Sequence, residues 1–353
     1  MKSMSVLWVG VFFLALLTMA AAAPPVAHAG LNDANEPGSV LVFPYFRTGT
    51  VGTVESGTHP KTEIEVSVTC PRGATCVEGG SGTGEVVRLR AVWVCPGDTG
   101  NACAKVAFDL QTTVNGTLYF HSAARADAVL AGATDVPQPA CARGFLVVWV
   151  VNAAGHPIKY DGLIGNAVVR ESTTPAAAYS AVGIQGGVLL PNRAPTDRNG
   201  NGRLDLNGIE YMPVTGKVFG TVRFQGVNPA APTQPSDDTY LILLTLDVLA
   251  GQLNQATSVG LDVFKADETA SSDSVDFVCW TRVLLRTINP DFTAAVMGRK
   301  GLVESTSAIQ GGRAVTLLGL VETVEYATPP DIRKAWLYLL NTGGRPVLTT
   351  FGP

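Results

Sequence analysis

Charge is the most obvious shortage in this sequence. Only 15% of its 353 residues are Asp, Glu, Lys or Arg, whereas a typical soluble domain has about 25%. The net charge is −4, so the chain lacks the basic surface that binding to nucleic-acid phosphates requires. We therefore expect no nucleic-acid partner. The hydrophobic share of 46% is ample for a packed core and argues against disorder.

Common catalytic and zinc-binding motifs are also missing from the sequence. It contains neither His-Glu-x-x-His nor Cys-x-x-Cys, which are typical of zinc proteases and structural zinc sites. Asp98-Thr99-Gly100 is a single copy of the aspartic-protease tripeptide, whose chemistry needs a second carboxylate. We therefore predict a non-enzymatic protein with a binding or structural role.

Two alternative functions stay open at this stage. One is a secreted hydrolase whose site assembles only in three dimensions, with histidines and carboxylates gathered in a pocket. The other is a carbohydrate-binding module, which would present exposed aromatic rings to sugars. The candidate residues are His59, His121 and His156 for the hydrolase, and Tyr45, Tyr160 and Tyr211 for sugar binding.

The N-terminus has the features of an export signal. Lys2 precedes an apolar run of 18 residues, from Val6 to Ala23, and Ala27-His28-Ala29 matches the pattern that signal peptidase cleaves. We predict a signal peptide at residues 1–29 and no transmembrane segment after its cleavage. The alternative is an uncleaved membrane anchor, because this run is near the minimum length that spans a bilayer. The predicted location is secreted, periplasmic or cell-surface, with an unidentified extracellular or cell-surface partner.

Six cysteines lie in the predicted mature chain. An even number in an exported protein indicates three disulfides, although six cysteines allow 15 pairings. Cys70 and Cys95 each end an apolar strand, and each is followed by turn residues and a second cysteine. We predict local bridges Cys70–Cys76 and Cys95–Cys103, which leave a long-range bridge between Cys141 and Cys279.

The hydrophobic pattern has a period of two residues. Ile64, Val66 and Val68 alternate with polar residues in Thr62–Val68, and similar segments recur between clusters of Gly, Pro, Asn and Asp. Such alternation is typical of half-buried antiparallel strands. The predicted fold is all-β, an antiparallel β-sandwich with very little helix. The length suggests two sandwich domains at residues 30–190 and 214–353, joined by a linker at residues 191–213.

A repeated turn motif suggests an internal duplication. Asn152-Ala-Ala-Gly-His-Pro157 and Asn341-Thr-Gly-Gly-Arg-Pro346 each follow an apolar strand, at an offset of 189 residues. Repeats of this kind can reflect duplicated units. The alternative is that β-hairpins converge on the same turn residues because turn geometry demands them. Both interpretations stay open from the sequence.

The predicted linker contains a segment with definite metal chemistry. Oxygen-bearing side chains occur at alternate positions from Asp197 to Asp205, and Gly202 stands where a calcium loop turns sharply. The segment resembles the EF-hand-type loops of secreted proteins, such as dockerins and thrombospondin repeats. Position 12 is Gly208 instead of an acid, so the alternative is a polar linker that binds nothing. The predicted ligands of a structural calcium ion are Asp197, Asn199, Asn201, the backbone carbonyl of Arg203, Asp205 and, at position 14, Glu210.

A second charged region follows. Residues 237–276 contain eight carboxylates against one lysine, and residues 282–313 reverse that sign. The pattern fits a cation site or a charge-complementary contact, although a solvated sheet face is the more common explanation.

Three segments resemble a group of exported bacterial proteins without an assigned function. They are Glu36–Pro44, Thr62–Val68 and Lys159–Gly165. The resemblance implies a bacterial source and an extracytoplasmic β-rich protein, and it implies no particular site or activity.

Overall fold

The computed structural model describes residues 36–49, 60–76, 84–97, 103–123, 136–170, 176–228, 231–246, 256–308, 315–328, 331–347 and 349–351. The predicted signal peptide at residues 1–29 lies outside these residues, as does His59. In the described part the protein is almost all β, with antiparallel sheets. Helix is limited there to two single turns, α1 (Leu285–Ile288) and α2 (Ala294–Met297). No helix among these residues has the length and apolarity needed to cross a membrane.

Nine strands in the first half of the chain form two sheets, which we call the first strand set. A five-stranded sheet has the order β4-β3-β6-β1-β9, and a four-stranded sheet has the order β5-β2-β7-β8. The strands are β1 (Val40–Arg47), β2 (Lys61–Val68), β3 (Val86–Val94), β4 (Lys105–Thr113), β5 (Thr117–His121), β6 (Arg143–Val151), β7 (Leu163–Arg170), β8 (Ala177–Ser180) and β9 (Val182–Ile184).

The rest of the chain adds two larger sheets, which we call the second strand set, and two small ones. The larger sheets have the orders β16-β15-β18-β11-β21 and β17-β14-β19-β20, while β10 pairs with β22 and β12 with β13. The strands are β10 (Leu204–Leu206), β11 (Val214–Arg223), β12 (Val227–Asn228), β13 (Ala231–Pro235), β14 (Asp237–Leu244), β15 (Thr257–Phe264), β16 (Ala270–Phe277), β17 (Trp280–Leu284), β18 (Lys300–Ser307), β19 (Leu318–Thr328), β20 (Asp331–Leu339), β21 (Asn341–Val347) and β22 (Thr349–Phe351).

The two strand sets have the same topology. When β11 and β14–β21 are matched in chain order to β1–β9, both sheet orders of the second set coincide with those of the first. The repeat is therefore visible in the fold, but the alignment at an offset of 189 residues is wrong. That alignment equates β6 with β20, whereas the topology equates β6 with β18. The two Asn-Gly-Pro motifs also differ locally, because the first forms a turn and the second forms β21.

Side-chain burial distinguishes outer from inner sheets. In β2 the alternation is as predicted, since Ile64, Val66 and Val68 are fully buried while Glu65 is exposed. In β6 and β14, by contrast, residues on both faces are buried. Strands with two buried faces need a layer of protein on each side. The five-stranded sheet of the first set therefore packs against the four-stranded sheet of the second, through contacts of β1 with β14 and β19.

The four sheets form a four-bladed, propeller-like arrangement and do not divide clearly into the two predicted sandwich domains. Residues 31–353 cluster as one compact unit. One apolar core contains most of the first set together with Ile242, Leu244 and Leu320 of the second set. The residues predicted as a linker, 191–213, belong to the same core, because Leu204, Leu206 and Tyr211 are buried in it.

Three disulfides are present, but two of the predicted pairings are wrong. Cys70–Cys76 is confirmed, whereas the other bridges are Cys95–Cys141 and Cys103–Cys279. The reason is strand alternation. Cys95 donates its backbone N–H to Ala104 in the β3–β4 hairpin, so Cys95 and Ala104 share a face of the sheet and Cys103 points to the other face. Cys103 thereby reaches across to the second strand set.

Candidate metal site

The candidate metal site is the loop from residue 197 to residue 210, which lies between the two strand sets. Its end is anchored by β10, where Leu204 and Leu206 are buried and pair through their backbones with Phe351 and Thr349 of β22. Its start follows Thr196, whose hydroxyl hydrogen-bonds to the Tyr211 hydroxyl at 2.8 Å. The loop is therefore held at both ends by buried residues of the core.

Side-chain oxygens fold inward over the first half of the loop. Asp197 accepts hydrogen bonds from the backbone N–H groups of Asn201 and Gly202, each at 2.9 Å. Asn199 Oδ1 accepts from the Asn201 N–H at 3.0 Å, and Asn201 Oδ1 accepts from the Arg203 N–H at 2.8 Å. Gly202 has a φ of 70°, a left-handed conformation that favours glycine. The alternate side chains thus accept hydrogen bonds from backbone N–H groups of the same loop.

Asp205 accepts hydrogen bonds from two of these side chains. It is only 4% exposed, and its Oδ2 accepts hydrogen bonds from Asn199 Nδ2 at 2.6 Å and from Asn201 Nδ2 at 3.1 Å. A buried carboxylate is stable when it is well hydrogen-bonded. Asn199 and Asn201 therefore contact Asp205 directly, while Asp197 accepts hydrogen bonds from the backbone of the same loop.

Glu210 returns to the same place despite its unusual position in the loop. Asn207 Oδ1 accepts hydrogen bonds from the Ile209 and Glu210 N–H groups, both at 2.8 Å, and so tightens the turn. The Gly187 N–H donates to the Glu210 carbonyl at 2.8 Å. A Cβ atom at position 187 would lie 1.8 Å from the Ile209 carbonyl oxygen, so this close approach requires glycine. The chain thereby bulges past Gly208 and brings the carboxylate of Glu210 back to the loop.

The Glu210 carboxylate is buried and incompletely hydrogen-bonded. The residue is 1% exposed, and its Oε1 accepts a hydrogen bond from the Arg198 N–H at 2.8 Å. Its Oε2 is buried without any hydrogen-bond partner. An unpaired buried carboxylate oxygen is expensive, so this oxygen calls for a ligand that carries positive charge.

Electrostatics at Glu210 lead to the same conclusion. Burial raises the pKa of this carboxyl above its ordinary value, and the negative charges of Asp205 and Asp197 raise it further, although the Arg198 N–H opposes the shift. Two neighbouring acids that raise the pKa of a third are an arrangement that a divalent cation would stabilise.

The donor set fits calcium. It consists of carboxylate and amide oxygens, which are the ligands that calcium prefers. In the described residues no group of three or more His, Cys, Asp and Glu side chains is assembled closely enough to hold a metal, and the Asn199 and Asn201 amide nitrogens contact Asp205. Calcium would replace those contacts, with Asp197, Asp205 and Glu210 supplying the charge. The structure shows no role for the Arg203 carbonyl.

The second charged region forms contacts within the protein. Asp237, Asp238 and Glu322 are nearly buried, and they pair with Arg299 at 3.4 Å, Arg286 at 3.3 Å and Arg282 at 2.6 Å, respectively. The acidic and basic segments identified in the sequence therefore complement each other in part, through Asp237, Asp238, Arg282, Arg286 and Arg299. Glu322, which follows both segments in the chain, completes this group.

The residues singled out for the alternative functions have ordinary structural positions. Tyr45, Tyr160 and Tyr211 are at most 1% exposed, so none presents a ring face to a sugar. His121 is buried at the end of β5, and His156 lies on the turn after β6, where its N–H donates to Asn152.

Comparisons with known proteins assign no family. No family model and no curated protein matches this chain. A solved structure described as "Crystal Structure of Thermotoga maritima 1070" is similar, with 8% sequence identity over 38% of this chain and 99% of that one. Its TM-score of 0.26 is too low to carry an argument about fold or function.

Proposed function

We propose that this protein is an exported, non-enzymatic β-protein of the cell envelope or extracellular space, with a binding or structural role. Calcium in the 197–210 loop and three disulfides would stabilise it. Disulfides persist in oxidising compartments, and the described cysteines are all paired. The propeller-like arrangement would act as one rigid unit, in which each strand set retains the two-sheet organisation of a sandwich.

The observation that carries the calcium proposal is the buried, unpaired Oε2 of Glu210. Without a cation, three carboxylates share one loop, and one of them lacks a partner for a buried oxygen. With calcium, Asp197, Asp205 and Glu210 would each have a positive charge to face. Calcium would then fix the junction between β10 and the preceding loop, and it would act on stability instead of on a chemical reaction.

Calcium titration tests this proposal. Because position 12 lacks an acid, we expect a dissociation constant of about 0.1–1 mM, as in other extracellular calcium modules. About 10 mM calcium should then add about 1.5–3 kcal/mol to the free energy of unfolding. Asp197→Ala should abolish this gain, whereas Asp262→Ala, at a partly exposed position outside the loop, should keep it. No calorimetric heat and an unchanged melting temperature in calcium and in chelator would show that the loop is a polar connection only.

A further inference from the structure

A polar groove lies on the five-stranded sheet of the first strand set, apart from the calcium loop. It has two adjoining compartments, of about 260 and about 470 Å³. Small-molecule sites usually have volumes of roughly 300–1,000 Å³, so the groove is large enough for a ligand of one or a few rings. The two compartments share Arg88, Gln111, Val151, Asn152 and Ala153.

The floor of the groove is set by strand pairing. Arg88 on β3 lies directly opposite Gln111 on β4 and Val151 on β6. Directly paired residues project to the same face of a sheet, so these three side chains stand in one row across the floor. The next row contains Arg90 and Asp109, which form a two-point ion pair at 2.9 and 3.2 Å.

Two separate turns form the walls. On one side is the turn that follows β6, where Asn152 Oδ1 accepts hydrogen bonds from the N–H groups of Ala154 and His156 at 2.9 and 3.0 Å. On the other side, Arg193 pairs with Glu85 at 2.5 Å. Both walls are therefore fixed by internal hydrogen bonds or ion pairs, so the groove is already shaped before a ligand arrives.

Three polar groups at the groove have no partner within the described protein. The Arg88 guanidinium forms no hydrogen bond or ion pair with the described residues, in contrast to Arg90 and Arg193. The Gln111 amide is exposed and likewise makes no side-chain hydrogen bond there. The Tyr160 hydroxyl is buried without a hydrogen-bond partner, in a residue that is 1% exposed and lines the smaller compartment.

The charges at the groove leave one cation in excess. Arg90 is neutralised by Asp109 and Arg193 by Glu85, so Arg88 is the charge left over among the described lining residues. A guanidinium binds carboxylates through two parallel hydrogen bonds. The amides suit ligand hydroxyl groups, while Val86 and Val151 offer apolar contact to carbon atoms.

We propose that this groove binds a polyhydroxylated carboxylate, such as a uronic acid unit of a glycan. Arg88 would pair with the carboxylate, and Gln111 and Asn152 would contact hydroxyl groups. This inference rests on the binding role proposed above, and it is independent of calcium. It also differs from aromatic sugar binding, because the ring of Tyr160 is buried.

The test is calorimetric titration with three probes: trigalacturonic acid, free galacturonic acid and neutral galactotriose. We expect saturable binding of the acidic trimer, at least tenfold weaker binding of galactotriose, and weaker binding at high salt. If the monomer binds as tightly as the trimer, the site recognises a free hydroxy acid, and the proposed chemistry still holds. Equal affinity for the acidic and neutral trimers, or no saturable binding of either acid, would overturn it.

Matched variants locate the binding within the groove. Arg88→Gln should weaken binding of the acidic trimer at least tenfold, whereas Arg72→Gln, at another exposed position of the same strand set, should not change it. Gln111→Ala should weaken binding without loss of melting temperature, because the Gln111 amide is exposed at the groove. Equal effects of Arg88→Gln and Arg72→Gln would show that the acidic trimer does not bind in the groove. Titrations in calcium and in chelator separate this result from the calcium loop, since groove binding can fail while the calcium response persists.

Discussion

The first strand set buries mainly apolar side chains and contains two disulfides, while the second also buries charged pairs. In the first set, β1 and β6 bury Val, Leu, Phe and Trp side chains on both faces. Two bridges, Cys70–Cys76 and Cys95–Cys141, lie wholly within that set. In the second set, the inner strands β14 and β19 bury three acids beside arginines. The strand order is the same in both sets, so the topology tolerates very different means of stabilisation.

The contact between the sets is not symmetric. The five-stranded sheet of the first set meets the four-stranded sheet of the second, where Tyr45 stacks on Trp280 at 6.0 Å and the Trp280 indole N–H donates to the Pro44 carbonyl at 2.9 Å. The Cys103–Cys279 bridge crosses at the same sheets. The two copies of one topology therefore meet through different sheets.

The bridge between the sets should have the largest effect on stability. Cys103–Cys279 spans 176 residues of sequence, whereas Cys70–Cys76 spans 6. Because loop-closure entropy grows with loop length, removing the long bridge with Cys103→Ala and Cys279→Ala should cost about 5 kcal/mol, against about 2 kcal/mol for Cys70→Ala and Cys76→Ala. Denaturant unfolding measures both losses. Equal losses would mean that the bridge between the sets restrains the unfolded chain no more than a local one.

Removal of a buried charge should have the next largest effect on stability, and this effect should differ between the two strand sets. Arg282 and Glu322 have side chains that are only 15% and 6% exposed, and Arg282 also lies 3.4 Å above the Tyr240 ring. Glu322→Gln leaves this guanidinium without its counter-ion and should cost about 3 kcal/mol.

The matched substitution in the first set is Asp109→Asn. Its partner Arg90 is 33% exposed and Asp109 itself is 65% exposed, so the loss in unfolding free energy should be under about 1 kcal/mol. Comparable losses for the two variants would contradict the view that charged pairs matter more in the second set.

Acidity should change the effect of calcium on the junction between the sets. The raised pKa of Glu210 means that its ionised form destabilises the calcium-free protein, so that stability recovers as the pH falls through the raised pKa. Calcium binds the ionised carboxylate, so protons compete with calcium for Glu210. Because the pKa is raised, this competition begins above pH 4.5, the ordinary pKa of glutamate. The calcium-dependent gain in melting temperature should therefore shrink as the pH falls from neutrality towards this ordinary value. A gain that is constant over this range would exclude Glu210 as a ligand.

Much of the local structure was predictable from the sequence because it depends on local rules. The period-two pattern at Ile64, Val66 and Val68 identified β2 and its buried face, and alternate oxygens identified the loop from Asp197 to Asp205. The packing of sheets was not predictable in the same way. Strands such as β6 are apolar on both faces, and sequence alone does not say which sheet covers each face.

The residues of the calcium loop and of the polar groove were also only partly predictable from the sequence. The return of Glu210 depends on a turn that Asn207 and Gly187 stabilise, and only the first of these is near it in sequence. The polar groove draws its residues from β3, β4, β6 and Arg193. No single segment carries a motif for it, so the signal exists only in the register of the strands.

The most direct test of the account is to measure unfolding of Glu210→Gln with and without calcium, beside Glu268→Gln at an exposed turn. Glutamine removes the buried charge but keeps the size of the side chain. We predict that Glu210→Gln is at least as stable as the wild type in chelator and loses most of the calcium-dependent gain, while Glu268→Gln behaves like the wild type. A Glu210→Gln protein that is weakened in chelator, yet keeps the full calcium response, would contradict the account.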